Sequence, residues 1–541
     1  MTSAPWDAVV IGAGVNGLAV AATLGRAGLR VLVLERRPVL GGVAATEELA
    51  PGFRVDACLH DLGVPAPALV EDLGLARHGL ELIRPDPAVV ALPPSGGSAP
   101  PLALWADPAR SVEAIRRHSP GDAERWPEFA ARMGRLAGFL ESLYAAPAPN
   151  ITSSRPADVV RLLGLGHRAR RLGKTGLIDL LRTLPMSVAE LLDDWFESEA
   201  LKGALGAAGI RGILQGPRSG GTAFVFLHHA VGSPPGAPRS RCVVRGGLGR
   251  FAQALAAAAR EHGVDIRTGV DVARVRVRDG RAVGVVTGAG DEIATRAVVS
   301  GADPRRTLMT LVDPTELEPE FARAVLHLKY RGAVAKVNLA LDALPTFPAL
   351  ASNGATELLR GAIAPGVSLE ALEHAYDDAK HGGVSRRPFL EVRIPSVADP
   401  SHAPPGKHVM SVWVQYAPYR LKRGTWDEGR RSKLGDLVVD TLADHAPGLK
   451  ALIVQRQVLT PKDLEDVYGV TEGSLYHGEL TLDQILFMRP VPGWSRYRTP
   501  IHQLYLCGAG THPGGGLGMA GGSGLLAAGA VLRDARLWRT A

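Results

Sequence analysis

Cysteine is scarce. The 541 residues hold three, Cys58, Cys242 and Cys507, far apart and with no CxxC pair. This argues against a disulfide framework, a thiolate zinc site and a dithiol redox centre, and favours a reducing, cytoplasmic setting. Aromatics are only 5% of the chain, and the net charge of +7 is dispersed. The concentrated basic stripe with stacking aromatics that marks a nucleic-acid binder is therefore missing. No Ser-His-Asp or paired-carboxylate pattern stands out. His228 and His229 are adjacent, so they point to different faces, and no partner sits at metal-ligand spacing. The opening MTSAPWD lacks a basic n-region, so no secretory signal is expected. Residues 8–25 form an uncharged stretch of membrane-span length, but their glycine spacing has a better explanation.

What is present is an ordinary globular composition, 46% hydrophobic and 21% charged, with 64 glycines gathered towards the two ends. The length implies two or three domains. One segment departs from the dispersed charge: in residues 161–182 Arg161, Arg168, Arg170, Arg171, Lys174 and Arg182 interleave with leucines. It reads as a solvated helical face over a buried leucine stripe, or as a membrane-surface segment.

The strongest motif is Gly12-Ala13-Gly14-Val15-Asn16-Gly17. It follows a strand (7–11), opens a helix (15–27), and precedes a second strand (30–35) that ends in Glu35. A GxGxxG alone is weak, but this βαβ context with a terminal acid is what dinucleotide binding requires. Gly12 allows the tight turn, Gly14 lets backbone approach a pyrophosphate, and Gly17 lets helix and strand pack. The helix N-terminus offers unpaired N–H groups to phosphate. Glu35 is placed to accept from ribose hydroxyls and to disfavour a 2′-phosphate.

Further along, residues 84–101 read as a loop and 108–144 as helical. A helix is expected over 249–261, a strand over 264–268, and a hairpin over 272–288 turning at Asp279-Gly280. Strands are also expected at 296–304, 331–342, 407–419 and 504–510, with a last helix from about 517 to 533.

Gly41-Gly42, with Arg36 and Val43 beside them, extends the fingerprint into a form that resembles the longer motif of two-domain flavoproteins such as amine oxidases and phytoene desaturases. LYLCGAGTHPGGG (504–516) resembles the C-terminal signature of phytoene desaturase-like flavoproteins. GTAFVFLHHAVG (221–232) and SLYHGELTLDQILFMRPVPG (474–493) are similar to the pyridine nucleotide-disulfide oxidoreductase domain-containing protein 2 branch. The matches run from residue 7 to about 533.

The resemblance implies FAD as cofactor and an α/β two-domain flavoprotein. Its Rossmann-type FAD-binding domain would be assembled from 1–65, 240–305 and 490–541. A mixed α+β substrate domain with a helical insertion would come from 66–239 and 306–489. It implies a backbone contact from Val270 to the adenine side, Gly508 in cofactor binding, Gly510 near the pyrophosphate, and Gly518 and Met519 at a helix N-terminus facing the flavin. It also implies peripheral membrane association in members that handle polyisoprenoids. The absence of CxxC gives disulfide reduction no support. No second GxGxxG opens a βαβ unit, which leaves oxygen, a quinone or another carrier as electron acceptor.

The expected activity is removal of hydride from a C–H bond of a largely apolar substrate, of desaturase or dehydrogenase type. The alternatives are amine oxidase-type C–N oxidation, a redox-neutral isomerase, and a flavin-binding regulatory or scaffolding protein. His512 and His477 are the candidates to line the reaction site, and no metal is expected.

Overall fold

The computed structural model describes residues 6–149, 156–234, 237, 240–351, 355–515 and 519–538. Gly518 therefore lies outside the described residues. The short apolar runs at the two ends and in the middle of the chain are buried strands of one parallel sheet. Its order is Leu504–Leu506, Val298–Ser300, Ala8–Ile11, Val31–Glu35, Asp265–Thr268. Continuous apolar strands suit a parallel sheet covered on both faces. Helices Val15–Arg26, Gly249–Glu261 and Gly522–Trp538 share a core with one face. The antiparallel trio Val272–Arg278, Arg281–Thr287 and Glu292–Ala294 shares a core with the other. At the hairpin tip Asp279 and Gly280 take φ of 49° and 68°, as a two-residue turn of the primed type demands. The uncharged stretch 8–25 is thus a strand and a helix, and no described helix is long and apolar enough to cross a membrane.

A second, seven-stranded sheet has the order Ile453–Leu459, Val334–Leu341, His408–Gln415, Phe389–Arg393, Ala362–Pro365, Val89–Leu92, Leu102–Leu104. Its two faces differ in chemistry, because side chains alternate along a strand. Val337, Leu339, Val392, Val412 and Val414 pack with helix Glu428–Ala443. The opposite face carries Lys336, Asn338, Glu391, Arg393, Ser411 and Gln415, all buried. A helical layer of Pro120–Tyr144, Val188–Asp193, Glu199–Ile210 and Thr222–Ala230 completes this half.

Three expectations shift. Residues 84–101 are not all loop: Val89–Leu92 pairs in parallel with Ala362–Pro365 inside the second sheet, its apolar run outweighing the Pro and Gly around it. The last helix begins at Gly522 rather than near 517, which leaves Met519 in the turn before it. Leu69, Leu73, Leu75 and Leu80 pack into the core of the first sheet, as do Leu308 and Leu311, beyond the boundaries expected at 65 and 305.

Residues 161–182 fall on two helices, Pro156–Arg171 and Gly173–Thr183. Their apolar side chains are not one buried stripe. Leu180 is buried, whereas Leu163 and Leu181 are 68% and 62% exposed, with Val160 and Ile178 alongside.

Candidate cofactor and substrate site

A long cavity runs between the two sheets. It is lined by the glycine turn, Glu35, Arg36 and Val270 at one end. Leu59, Asp61, Arg211, Trp413 and Tyr476 line the other.

The glycine turn is built as a cradle. Helix Val15–Arg26 starts at Gly14 with no side-chain cap, so its first N–H groups keep no side-chain acceptor. A Cβ on Gly14 would meet nothing within 4 Å, whereas one on Gly17 would overlap the Gly12 carbonyl oxygen. Gly14 therefore borders open space and Gly17 is a packing position. Gly12 takes φ of 90°, which favours glycine. The Glu35 carboxylate accepts from the N–H of Ala13 at 2.7 Å and of Arg37 at 2.8 Å. Gly41 and Gly42 continue the wall, and Val43 lies beside them. The empty space over Gly14, the uncapped helix start and the acid beyond them fit a pyrophosphate flanked by a ribose.

The other expected positions divide. Val270 lines the cavity with its N–H already donated to the Glu35 carbonyl. Gly508, Ala509, Gly514, Gly515 and Met519 also line it. Gly510 does not: a Cβ there would overlap the Pro304 ring, so close packing explains this glycine. His477 lines the cavity, half-buried, in the left-handed region at φ 52° and with no acceptor or donor at Nδ1 among the described residues. Burial holds its imidazole below the usual histidine range. His512 is not on the cavity. Its Nε2–H donates to the carbonyls of Leu143 and Ala146 at 3.2 and 2.9 Å, at the C-terminal end of helix Pro120–Tyr144, where main-chain carbonyls lack helical partners.

His228 and His229 hydrogen-bond to main-chain carbonyls. His228 Nε2–H donates to the Gly515 carbonyl at 2.9 Å, so its Nδ1 accepts from the Tyr144 hydroxyl at 2.8 Å. No group of metal-ligating side chains occurs among the described residues. Cys507 is buried, and burial pushes its thiol up to about 12. Arg489 is buried and donates to five carbonyls, those of Tyr476, Gly478, Glu479, Gln484 and Ala509. It fixes the segment that carries His477.

The polar far end is not evident from the sequence. Asp61, Arg211, Arg241, Lys336, Glu391, Arg393, Trp413 and Tyr476 meet there from separate chain segments. The signal available is a polar residue at every second place in otherwise apolar strands, Lys336 and Asn338, Glu391 and Arg393, Ser411 and Gln415.

Residues 16–532 match the family model described as flavin containing amine oxidoreductase. The chain is 38% identical to pyridine nucleotide-disulfide oxidoreductase domain-containing protein 2 of Rattus norvegicus, over 98% of this chain and 94% of that protein. It is 29% identical to a component polypeptide of the limonene dehydrogenase of Castellaniella defragrans, over 95% and 93%. Among solved structures, an oxidoreductase from Methanosarcina mazei superposes with a TM-score of 0.60 at 19% identity, covering 97% of this chain and 99% of that one.

Proposed function

Because the chain belongs to the flavin-containing amine oxidoreductase family and takes FAD as its cofactor, we propose that it removes hydride from a C–H bond of a largely apolar substrate. The observation that carries this reading is the continuity of the glycine cradle with a chamber walled by Val43, Leu59, Leu475 and Trp413. The dehydrogenase activity in the name of the limonene dehydrogenase relative supports it. The far end presents a buried guanidinium, Arg211, which is a poor neighbour for the protonated substrate of an amine oxidase.

Bound FAD supplies a two-electron acceptor for the hydride. The chain's own residues bind, orient and exclude water. The uncapped N–H groups at Gly14–Gly17 would hold the pyrophosphate, Glu35 the ribose, and the Val270 carbonyl the adenine side. Gly41, Gly42, Gly508 and Met519 would complete the wall. His477, kept neutral by burial and with Nδ1 unengaged, is placed to take the proton that leaves as a C=C bond forms. Oxygen or a quinone would reoxidise the cofactor.

We also propose peripheral membrane contact through helices Pro156–Arg171 and Gly173–Thr183. The exposed Val160, Leu163, Ile178 and Leu181 beside basic residues support it.

The test is anaerobic addition of apolar candidates to the FAD-loaded protein. Bleaching of the flavin bands by one compound without ammonia release is expected. Ammonia release would identify an amine oxidase, and bands that never bleach would leave a scaffold or an isomerase.

A further inference from the structure

The far end of the cavity holds more positive charge than its own carboxylates balance. Arg211 donates to Asp61 Oδ2 through both Nη atoms at 3.1 Å. Arg241 Nη1 stands 3.8 Å from Asp61 Oδ1, and Arg393 Nη2 4.0 Å from Oδ2. Glu391 lies 3.4 Å from Arg211. None of these five side chains is more than 7% exposed. Three guanidiniums thus face two carboxylates. Lys336 stands nearby, its Nζ donating to the Leu59 carbonyl at 2.7 Å, and Asp56 is its foremost carboxylate neighbour. A buried charge without a counter-charge is costly. Three donors of the cluster also lack acceptors among the described residues: Arg211 Nε, Arg241 Nη2 and Arg393 Nε.

Of the three guanidiniums of the cluster, Arg211 lines the cavity, and it is held rigidly. The Trp413 ring lies 4.7 Å from its Cζ. Gln415 clamps its turn, donating to the carbonyls of Ile210 and Ile213 and accepting from the Gly212 N–H. The Tyr476 hydroxyl donates to the Arg211 carbonyl at 2.9 Å. Asp61 also faces the cavity, but Oδ2 is taken by Arg211 and Oδ1 accepts from the Gly63 N–H. Such a clamped guanidinium is preorganised for an anion.

We infer that this end is a subsite for a carboxylate carried by the substrate, an inference that rests on reading the cavity as the dehydrogenation site. The substrate is then an amphipathic acid, its head on Arg211 and its apolar body along Leu59, Leu475 and Trp413. A single excess positive charge suits a monoanion better than a phosphate dianion. A guanidinium fork matches the two oxygens of a carboxylate.

The test measures binding rather than turnover. FAD-loaded full-length protein is titrated anaerobically with octanoate and with octanamide, its neutral isostere, and the flavin absorbance perturbation is followed. Octanoate is expected to bind at least about tenfold more tightly, the factor that one charge-assisted hydrogen bond supplies. Arg211→Gln should erase the difference and Arg211→Lys should retain part of it. If Arg211→Gln does not fold, the wild-type comparison and Arg211→Lys decide. Equal affinities, or tighter octanamide, would overturn the carboxylate subsite and leave the apolar dehydrogenation reading standing. Failure of both probes to bind would remove both. Unchanged probe selectivity with a lowered flavin reduction potential in Arg211→Gln would assign the excess charge to the cofactor and overturn the inference.

Discussion

The Glu35 carboxylate accepts a hydrogen bond from the Ala13 N–H at 2.7 Å, which ties the acid ending the second strand to the glycine turn opening the first helix. It accepts a second from the Arg37 N–H. Glutamine at this place would offer one acceptor to two buried donors and lose the charge that ribose hydroxyls would meet. Glu35→Gln is therefore expected to weaken FAD binding about 10- to 100-fold, from about 1.5–3 kcal/mol per charged hydrogen bond. Fluorescence titration of FAD into cofactor-free protein reads this directly.

Gly14 and Gly17 separate binding from folding. A methyl on Gly14 enters empty space, so Gly14→Ala should fold with near-native thermal stability and fail to retain FAD. A methyl on Gly17 collides with the Gly12 carbonyl, so Gly17→Ala should lower stability even without cofactor. Thermal unfolding of the two cofactor-free variants, alongside their flavin content, distinguishes the roles. Equal destabilisation by both would show that the space over Gly14 is not a ligand cradle.

Arg489 joins five carbonyls of two chain segments, and among the described residues it hydrogen-bonds to no carboxylate. Burial lowers its guanidinium to about 10, still charged at neutral pH. Arg489→Met leaves those carbonyls without their donor, at a cost on the order of 3 kcal/mol or more. The expected result is a lower unfolding temperature together with loss of flavin, because the 476–489 segment and the Ala509 turn both border the cavity. Arg489→Lys, which supplies three donors without the fork, should recover only part.

Legibility follows distance along the chain. The fingerprint from Gly12 to Glu35 and the Asp279-Gly280 hairpin are local patterns, and both take the conformation that their residues require. The strand Val89–Leu92 is hidden by its Pro- and Gly-rich surroundings, since its pairing partner lies some 270 residues away. His512 is expected near the flavin because its turn is, but a ring in a turn can face either way. The carbonyls of Leu143 and Ala146 that capture it lie 366 or more residues distant. The alternating polar strand residues look like a solvated sheet face in one dimension. They become a buried charge cluster only when that face closes onto Asp61 and Arg211.

The exposed leucines of the two-helix hairpin make a physical prediction about membranes. A Leu163→Ser, Ile178→Ser, Leu181→Ser variant removes apolar surface while keeping every arginine. Burying even part of each side chain would contribute about 1 kcal/mol or more, so the variant should partition at least about tenfold less onto anionic phosphatidylglycerol vesicles. Co-sedimentation in low and high salt separates this from simple charge attraction, which salt screens. Equal binding of variant and wild type would place any membrane contact elsewhere.

Stability should climb with pH across two separate windows. His60, His228, His229 and His512 are buried, and burial holds their imidazoles neutral, His228 and His512 at about 4 and the other two well below the usual value. Unfolded histidine titrates near 6.5, so between pH 6.5 and 4 the unfolded chain binds more protons and stability falls as pH drops. His228 and His512 each account for up to about 3 kcal/mol there. Asp56, whose carboxyl burial raises, opposes this where it titrates. Lys336 gives the second window. Burial lowers its amine to about 7, whereas the unfolded amine keeps its proton to about 10.5, so stability rises from pH 7 until about 8.5. Above that, the buried thiols of Cys58 and Cys507, pushed up to about 12, keep protons that the unfolded chain releases and oppose the rise. Unfolding temperature measured from pH 4.5 to 8.5 should therefore rise in both ranges. His512→Asn should flatten the lower limb and Lys336→Met the upper. A stability maximum near pH 6, with both variants parallel to wild type, would mean that these groups are solvated in the folded protein and that the core between the two sheets is open to water.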